Sequence, residues 1–197
     1  MTGTRERRVL TKGSEVRIRP DGRLEGYAIV FGARSDDLGG FVEVVERGAV
    51  DFDPDLVSTF NHRPELLLGR RSANTLAVEV DRKGVRYEVE LPDTSAGRDV
   101  RELVRRGDVR GSSFTFDVLE GGQRWSRAAE VDLRALTRIR VYELGPVTMP
   151  AYPDTTAAVR ELARAREGSD RGSARPDLGR YYRRQRLSEL QAGMRQR

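Results

Sequence analysis

The chain contains one histidine, His62, in the run Phe60-Asn61-His62-Arg63-Pro64. An imidazole exchanges protons near neutral pH, so His62 is the natural candidate for acid–base work. A hydroxyl that such a base could activate is offered by Gly111-Ser112-Ser113-Phe114-Thr115-Phe116. If this run is a strand, Phe114 and Phe116 share the core face, and Ser113 and Thr115 share the other. Ser113 would then stand on a strand locked by two buried aromatics, and Ser112 would point the opposite way. A third group, Glu143, lies in Val141-Tyr142-Glu143-Leu144-Gly145. In strict alternation it shares Val141's face, where a half-buried carboxylate needs a partner. His62 is one choice; Arg138 and Arg140 are others. Each signal has a plain alternative, namely a loop histidine, an ordinary edge strand and a surface carboxylate.

Composition removes other chemistries. There is no cysteine, so disulfides, thiolate catalysis and cysteine-built zinc sites are excluded. One histidine excludes a multi-histidine metal site, and no cofactor is called for. No apolar run approaches the roughly 18 to 20 residues of a membrane span. The first residues carry charge without an apolar stretch behind them, so no signal peptide is expected. The expectation is a polar-surfaced protein with no membrane association.

Several elements are needed to position the three candidates. Leu24–Phe31 and Phe41–Val45 read as strands, with an extended pattern already at Val16–Ile18. Leu56–Phe60 reads as a buried strand that delivers Asn61-His62 at its end. Thr75–Val80 and Val85–Leu91 flank a hairpin turn at Asp81–Gly84. Thr94 or Ser95 can cap a helix with apolar positions Val100, Leu103 and Val104, ended by Gly107. Ser112–Leu119 and Leu136–Leu144 read as strands carrying Ser113 and Glu143. Pro146, Pro150 and Pro153 interrupt the chain beyond that strand, and Asp154–Ala165 reads as a helix. The expected organisation is a loose N-terminus (1–15), one α+β, β-rich domain (16–166) of about seven strands, and an arginine-rich linker and tail (167–197). Many short, closely spaced strands favour a barrel or sandwich.

Four blocks in order carry a family resemblance, from about Gly26 to Thr155. They are Gly26-Tyr27-Ala28 with Phe31 and Gly48-Ala49-Val50; Phe60-Asn61-His62 with Leu68-Gly69-Arg70; Gly107-Asp108-Val109-Arg110-Gly111-Ser112-Ser113-Phe114-Thr115-Phe116; and Glu143-Leu144-Gly145-Pro146-Val147-Thr148-Met149-Pro150-Ala151-Tyr152-Pro153. Together these blocks resemble the prohead serine proteases of HK97-like tailed phages. The resemblance implies a β-barrel ringed by a few helices, as in herpesvirus maturation proteases. It implies Ser113 as nucleophile, His62 as general base and Glu143 as third member. The herpesvirus Ser-His-His triad is impossible with one histidine. Met commonly precedes the family's nucleophile and Gly commonly follows its Ser-Phe pair; this chain has Ser112 and Thr115 there. The implied activity is acyl transfer on the scaffold protein or the major capsid protein precursor, in the host cytoplasm inside the assembling prohead or from a prophage. Oxyanion donors are expected near Ser113 or in Gly69-Arg70-Arg71. Self-cleavage and a homodimer are open expectations.

Two rival readings differ in class. One is a non-catalytic capsid-assembly or scaffold protein of the same fold. The other is a nucleic-acid-binding protein, suggested by the tail, where Arg160–Arg197 holds 11 arginines against 5 acidic residues. The rest of the chain is close to neutral and lacks a recognised nucleic-acid motif, so nucleic acid is the weaker reading. The tail is expected to be dispensable for folding and to act in docking or assembly.

Overall fold

A computed structural model describes residues 5–10, 13–127, 131–148 and 162. Among the described residues, twelve strands and the helix α1 run in the order β1 (Glu6–Leu10), β2 (Arg17–Ile18), β3 (Leu24–Val30), β4 (Phe41–Val45), β5 (Val50–Thr59), β6 (Leu67–Arg70), β7 (Leu76–Val80), β8 (Gly84–Val89), α1 (Ser95–Arg106), β9 (Gly111–Val118), β10 (Gln123–Arg127), β11 (Asp132–Leu136) and β12 (Ile139–Val147). The ladders form three open sheets, ordered β1-β9-β12-β5-β6, β10-β11-β4 and β2-β3-β8-β7. The β-rich class holds, whereas the hydrogen bonding among the described residues does not trace a closed barrel. No helix among them is long and apolar enough to cross a membrane.

Local chemistry explains the elements that deliver the site. Asp81 caps the β7–β8 hairpin by accepting from the amides of Lys83 and Gly84. Thr94 is the N-cap of α1, and Gly107 ends it with φ +80°, a conformation that glycine adopts without a Cβ penalty. Val100 and Val104 of α1 bury against a core that includes Leu24, Val85, Tyr87, Phe116, Val141 and Leu144. That core backs β9 and β12 and leaves their other face to the candidate residues.

Several strands depart from the sequence expectation. Glu6–Leu10, expected to be loose, forms β1 and pairs antiparallel with β9. Its alternation is charged rather than apolar, so hydrophobic periodicity does not detect it. The inward residues Glu6 and Arg8 meet Glu43 and Arg134 instead of hydrocarbon. Arg134 grips Glu6 at 2.7 and 2.8 Å and Glu43 at 2.9 Å, and Arg8 reaches the same two carboxylates at 2.6 and 2.9 Å. All four are buried. Two positive and two negative charges cancel, which makes their removal from water tolerable. The same chemistry hides β10 and β11, which make twelve strands of the expected seven or so: Arg134 sits in β11, and its Nε donates to Gln123 in β10.

Second, Leu136 ends β11 rather than opening the next strand, since the chain turns at Thr137-Arg138 before β12. Third, Pro146 does not break β12. It pairs with Ser112 beyond Leu144, the last residue paired to β5, so the strand has lost its β5 ladder there and one missing N–H is tolerated. Fourth, Val50 opens β5 directly after a Gly48 turn, six residues ahead of the expected start. The expected helix at 154–165, apart from the helical and buried Leu162, and the tail 167–197 lie outside the described residues.

Candidate active site

Ser113, His62 and Glu143 meet, each delivered by a different device. β9 supplies Ser113. Phe114 and Phe116 are buried in the core, while Ser113 and Thr115 face the site. Ser112 points the other way, and its Oγ lies 2.9 Å from the Tyr87 hydroxyl.

β5 supplies His62 through a tight turn. The amide of Arg63 donates to the Phe60 carbonyl at 3.2 Å, and Asn61 and His62 both have positive φ, 56° and 58°. Two consecutive positive φ values are what a type I′ turn requires. Asn and His are among the few side chains that enter this region readily. Asn61 also ties the turn to the end of β12. Its amide donates to the Pro146 carbonyl at 3.1 Å, and its Oδ1 accepts from the Thr148 amide at 2.9 Å.

β12 supplies Glu143 through a bulge. Val141 pairs with Phe116, yet Glu143 pairs with Thr115, so Tyr142 is an extra residue in the ladder. An extra residue inverts the facing of everything after it. Glu143 therefore leaves Val141's core face and joins Thr115 and Ser113, against the strict alternation assumed from sequence.

The result is a continuous hydrogen-bonded chain. His62 Nε2 is 2.6 Å from Ser113 Oγ, and His62 Nδ1 is 3.1 Å from Glu143 Oε2. Thr115 donates to the same carboxylate oxygen at 2.9 Å, and Thr59 donates to Oε1. Burial raises the Glu143 pKa. The hydrogen bonds from His62, Thr59 and Thr115, with the charge of His62, outweigh that and hold it below the ordinary glutamate value. The carboxylate is thus ionised at neutral pH and satisfied on both oxygens, a setting that fixes one imidazole tautomer with Nδ1–H toward Glu143 and Nε2 toward Ser113. The arginines offered as alternative partners are not in the contact set: Glu143 bonds His62, Thr59 and Thr115. The other carboxylates that could have oriented His62 are engaged elsewhere, Asp117 by Arg5 at 3.4 Å and Glu65 by Arg63 at 2.8 Å. Among the described residues no group of acidic or histidine side chains could hold a metal ion.

A model of the caudovirus prohead serine protease family matches residues 12–168. The chain belongs to that family. No curated protein and no solved structure matches it. As a member of a prohead serine protease family, it is a phage protein of capsid maturation. The sequence blocks that carried the resemblance converge here: the histidine block forms the turn after β5 and part of β6, the serine block leads into β9, and Glu143–Val147 of the closing block form the end of β12, just after its bulge.

Two threonines and a glycine of this prohead protease family member complete the arrangement around the three residues. Thr59 and Thr115 complete the Glu143 shell; the sequence signal was their placement on Ser113's face and beside the histidine turn. Gly145 faces Ser113 across the ladder, and a Cβ there would lie 2.1 Å from the Thr59 carbonyl oxygen. β12 can approach the end of β5 only without a side chain at that point. Gly145→Ala is therefore expected to destabilise the fold by at least about 2 kcal/mol, read from denaturant unfolding. A variant as stable as the parent would show that β5 and β12 have room to separate. In the Gly69-Arg70-Arg71 segment, two of the candidate oxyanion donors are already committed: the amide of Arg70 bonds Thr75 Oγ1, and that of Arg71 bonds the Leu56 carbonyl.

Proposed function

We propose that this protein is a prohead maturation serine endopeptidase that cleaves the scaffold protein, the major capsid protein precursor, or both, inside the assembling capsid in the host cytoplasm. The observation that carries the reading is the Ser113–His62–Glu143 chain, built around the single histidine in a member of a serine protease family. Ser113 Oγ attacks the scissile carbonyl carbon as His62 Nε2 accepts its proton. Glu143 stabilises the imidazolium that forms, and the same proton is delivered to the leaving amine. Water then repeats the sequence on the acyl-enzyme and frees Ser113. A purely architectural relative would have no use for a carboxylate on the far side of the imidazole from the serine.

The test is covalent labelling with a fluorophosphonate, followed by peptide mapping, alongside co-expression with the capsid precursor. A single adduct on Ser113, absent in His62→Ala, together with a shortened precursor, is the expected result. An unlabelled protein and an intact precursor would favour the non-catalytic assembly reading.

A further inference from the structure

β1 lies outside residues 12–168, the part that matches the family model, yet it pairs directly alongside the strand of the candidate nucleophile. Among the described residues it is the edge strand of its sheet, with Val9 opposite Ser113 and Arg8 opposite Phe114. Ser113 has no exposed surface, and the Arg8 carbonyl of β1 is one of the groups against its hydroxyl. A peptide from another molecule cannot reach a fully buried Oγ, so a covering element has to move before such a substrate is attacked.

β1 also competes for the serine's proton. Ser113 Oγ lies 2.6 Å from His62 Nε2 and 2.8 Å from the carbonyl oxygen of Arg8. A hydroxyl has one hydrogen to donate. When Nδ1–H is given to Glu143, Nε2 and the Arg8 carbonyl are both acceptors, and only one can be served. A proton donated to Arg8 is withheld from the general base.

The attachment of β1 suits exchange. Val9 and Leu10 are only half-buried and stand outside the main apolar core. A cleft of about 440 Å³ runs beside them, with Phe114 and Ala28 in its wall. The strand is held by a five-residue ladder, by the charge-neutral quartet of Glu6 and Arg8 with Glu43 and Arg134, and by Arg5, whose guanidinium sits 4.0 Å above the Tyr142 ring. Backbone ladders are indifferent to sequence, so another extended peptide can take the same edge.

We propose that β1 is a resident pseudo-substrate: it occupies the edge of β9 on which substrate peptides add as an antiparallel strand, and turnover requires it to leave. This rests on the protease reading above.

The chain has no cysteine, so a reversible latch can be installed cleanly. Continuing the β1–β9 register places Arg5 opposite Asp117, and their side chains already meet. Facing residues in antiparallel strands have Cα atoms about 4.5–5.5 Å apart, within disulfide range. In the Arg5→Cys/Asp117→Cys protein, oxidation pins β1 to β9. The oxidised form is expected to react with a fluorophosphonate at Ser113 at least about tenfold more slowly than the reduced form, and the reduced form at least as fast as wild type. Amide hydrogen exchange on the wild-type chain should show Glu6–Leu10 opening faster than Val141–Leu144 in the middle of the sheet. Equal labelling rates in the two redox forms, or β1 amides as protected as those of β12, would overturn the proposal. If the protease reading is at fault instead, Ser113 stays unlabelled in every form, and the exchange data alone decide whether β1 leaves.

Discussion

Replacing Ser113 by alanine should abolish proteolysis, with a loss of about 10⁴-fold or more, while Ser112→Ala keeps most of the activity per folded molecule. Ser113 Oγ is the hydroxyl within reach of His62 Nε2; the Ser112 hydroxyl is on the other face, bonded to Tyr87. The second variant has its own signature. Tyr87 is fully buried, and removing its partner leaves a buried hydroxyl unsatisfied, which costs about 1–3 kcal/mol. Ser112→Ala should therefore unfold at lower denaturant yet cleave normally below that point. Cleavage assays and unfolding curves on one preparation of each variant separate the effects. Full activity in Ser113→Ala would remove it as nucleophile.

Glu143→Gln should keep the fold and reduce turnover by about 10² to 10⁴-fold, less than the loss in Ser113→Ala because nucleophile and base both remain. The amide cannot stabilise an imidazolium. It also brings two N–H donors to a position where His62, Thr59 and Thr115 all donate. A pH series adds a second readout. The folded-state pKa of Glu143 lies below its ordinary value of 4.5, so its contribution to stability is present above about pH 4.5 and is lost as the pH falls through the folded value. The stability gap between parent and Glu143→Gln should therefore narrow in acid below pH 4.5. Unchanged turnover would mean that His62 works without an orienting carboxylate.

Where local rules suffice, the structure agrees closely with the sequence. The α1 helix sits between the Thr94 cap and the Gly107 end, and the β7–β8 hairpin turns at Asp81–Gly84. These depend on neighbours within a few residues. The aromatic alternation of β9 also sorts Ser112 from Ser113, because the pleat has a period of two and both phenylalanines need the core.

Long-range pairing explains what pattern reading misses. β1 and β11 present charged inward positions, and a hydrophobic period cannot register a strand whose buried face is a salt-bridge quartet contributed by three separate segments. The bulge at Tyr142 is equally silent in sequence. Only the simultaneous register with β9 and β5 forces an extra residue there, and that residue turns Glu143 from the core toward His62.

By itself, then, the sequence determined which chemistry was available: one histidine, no cysteine, and a serine on a strand locked by aromatics. Those are matters of residue type and local alternation. Tertiary structure decided that Glu143 rather than Asp117 or Glu65 faces the imidazole, that Thr59 and Thr115 complete the carboxylate's shell, and that β1 pairs alongside Ser113. Each of these depends on strand register between segments that stand 28 to 112 residues apart in the chain, a separation over which neither propensity nor periodicity carries information.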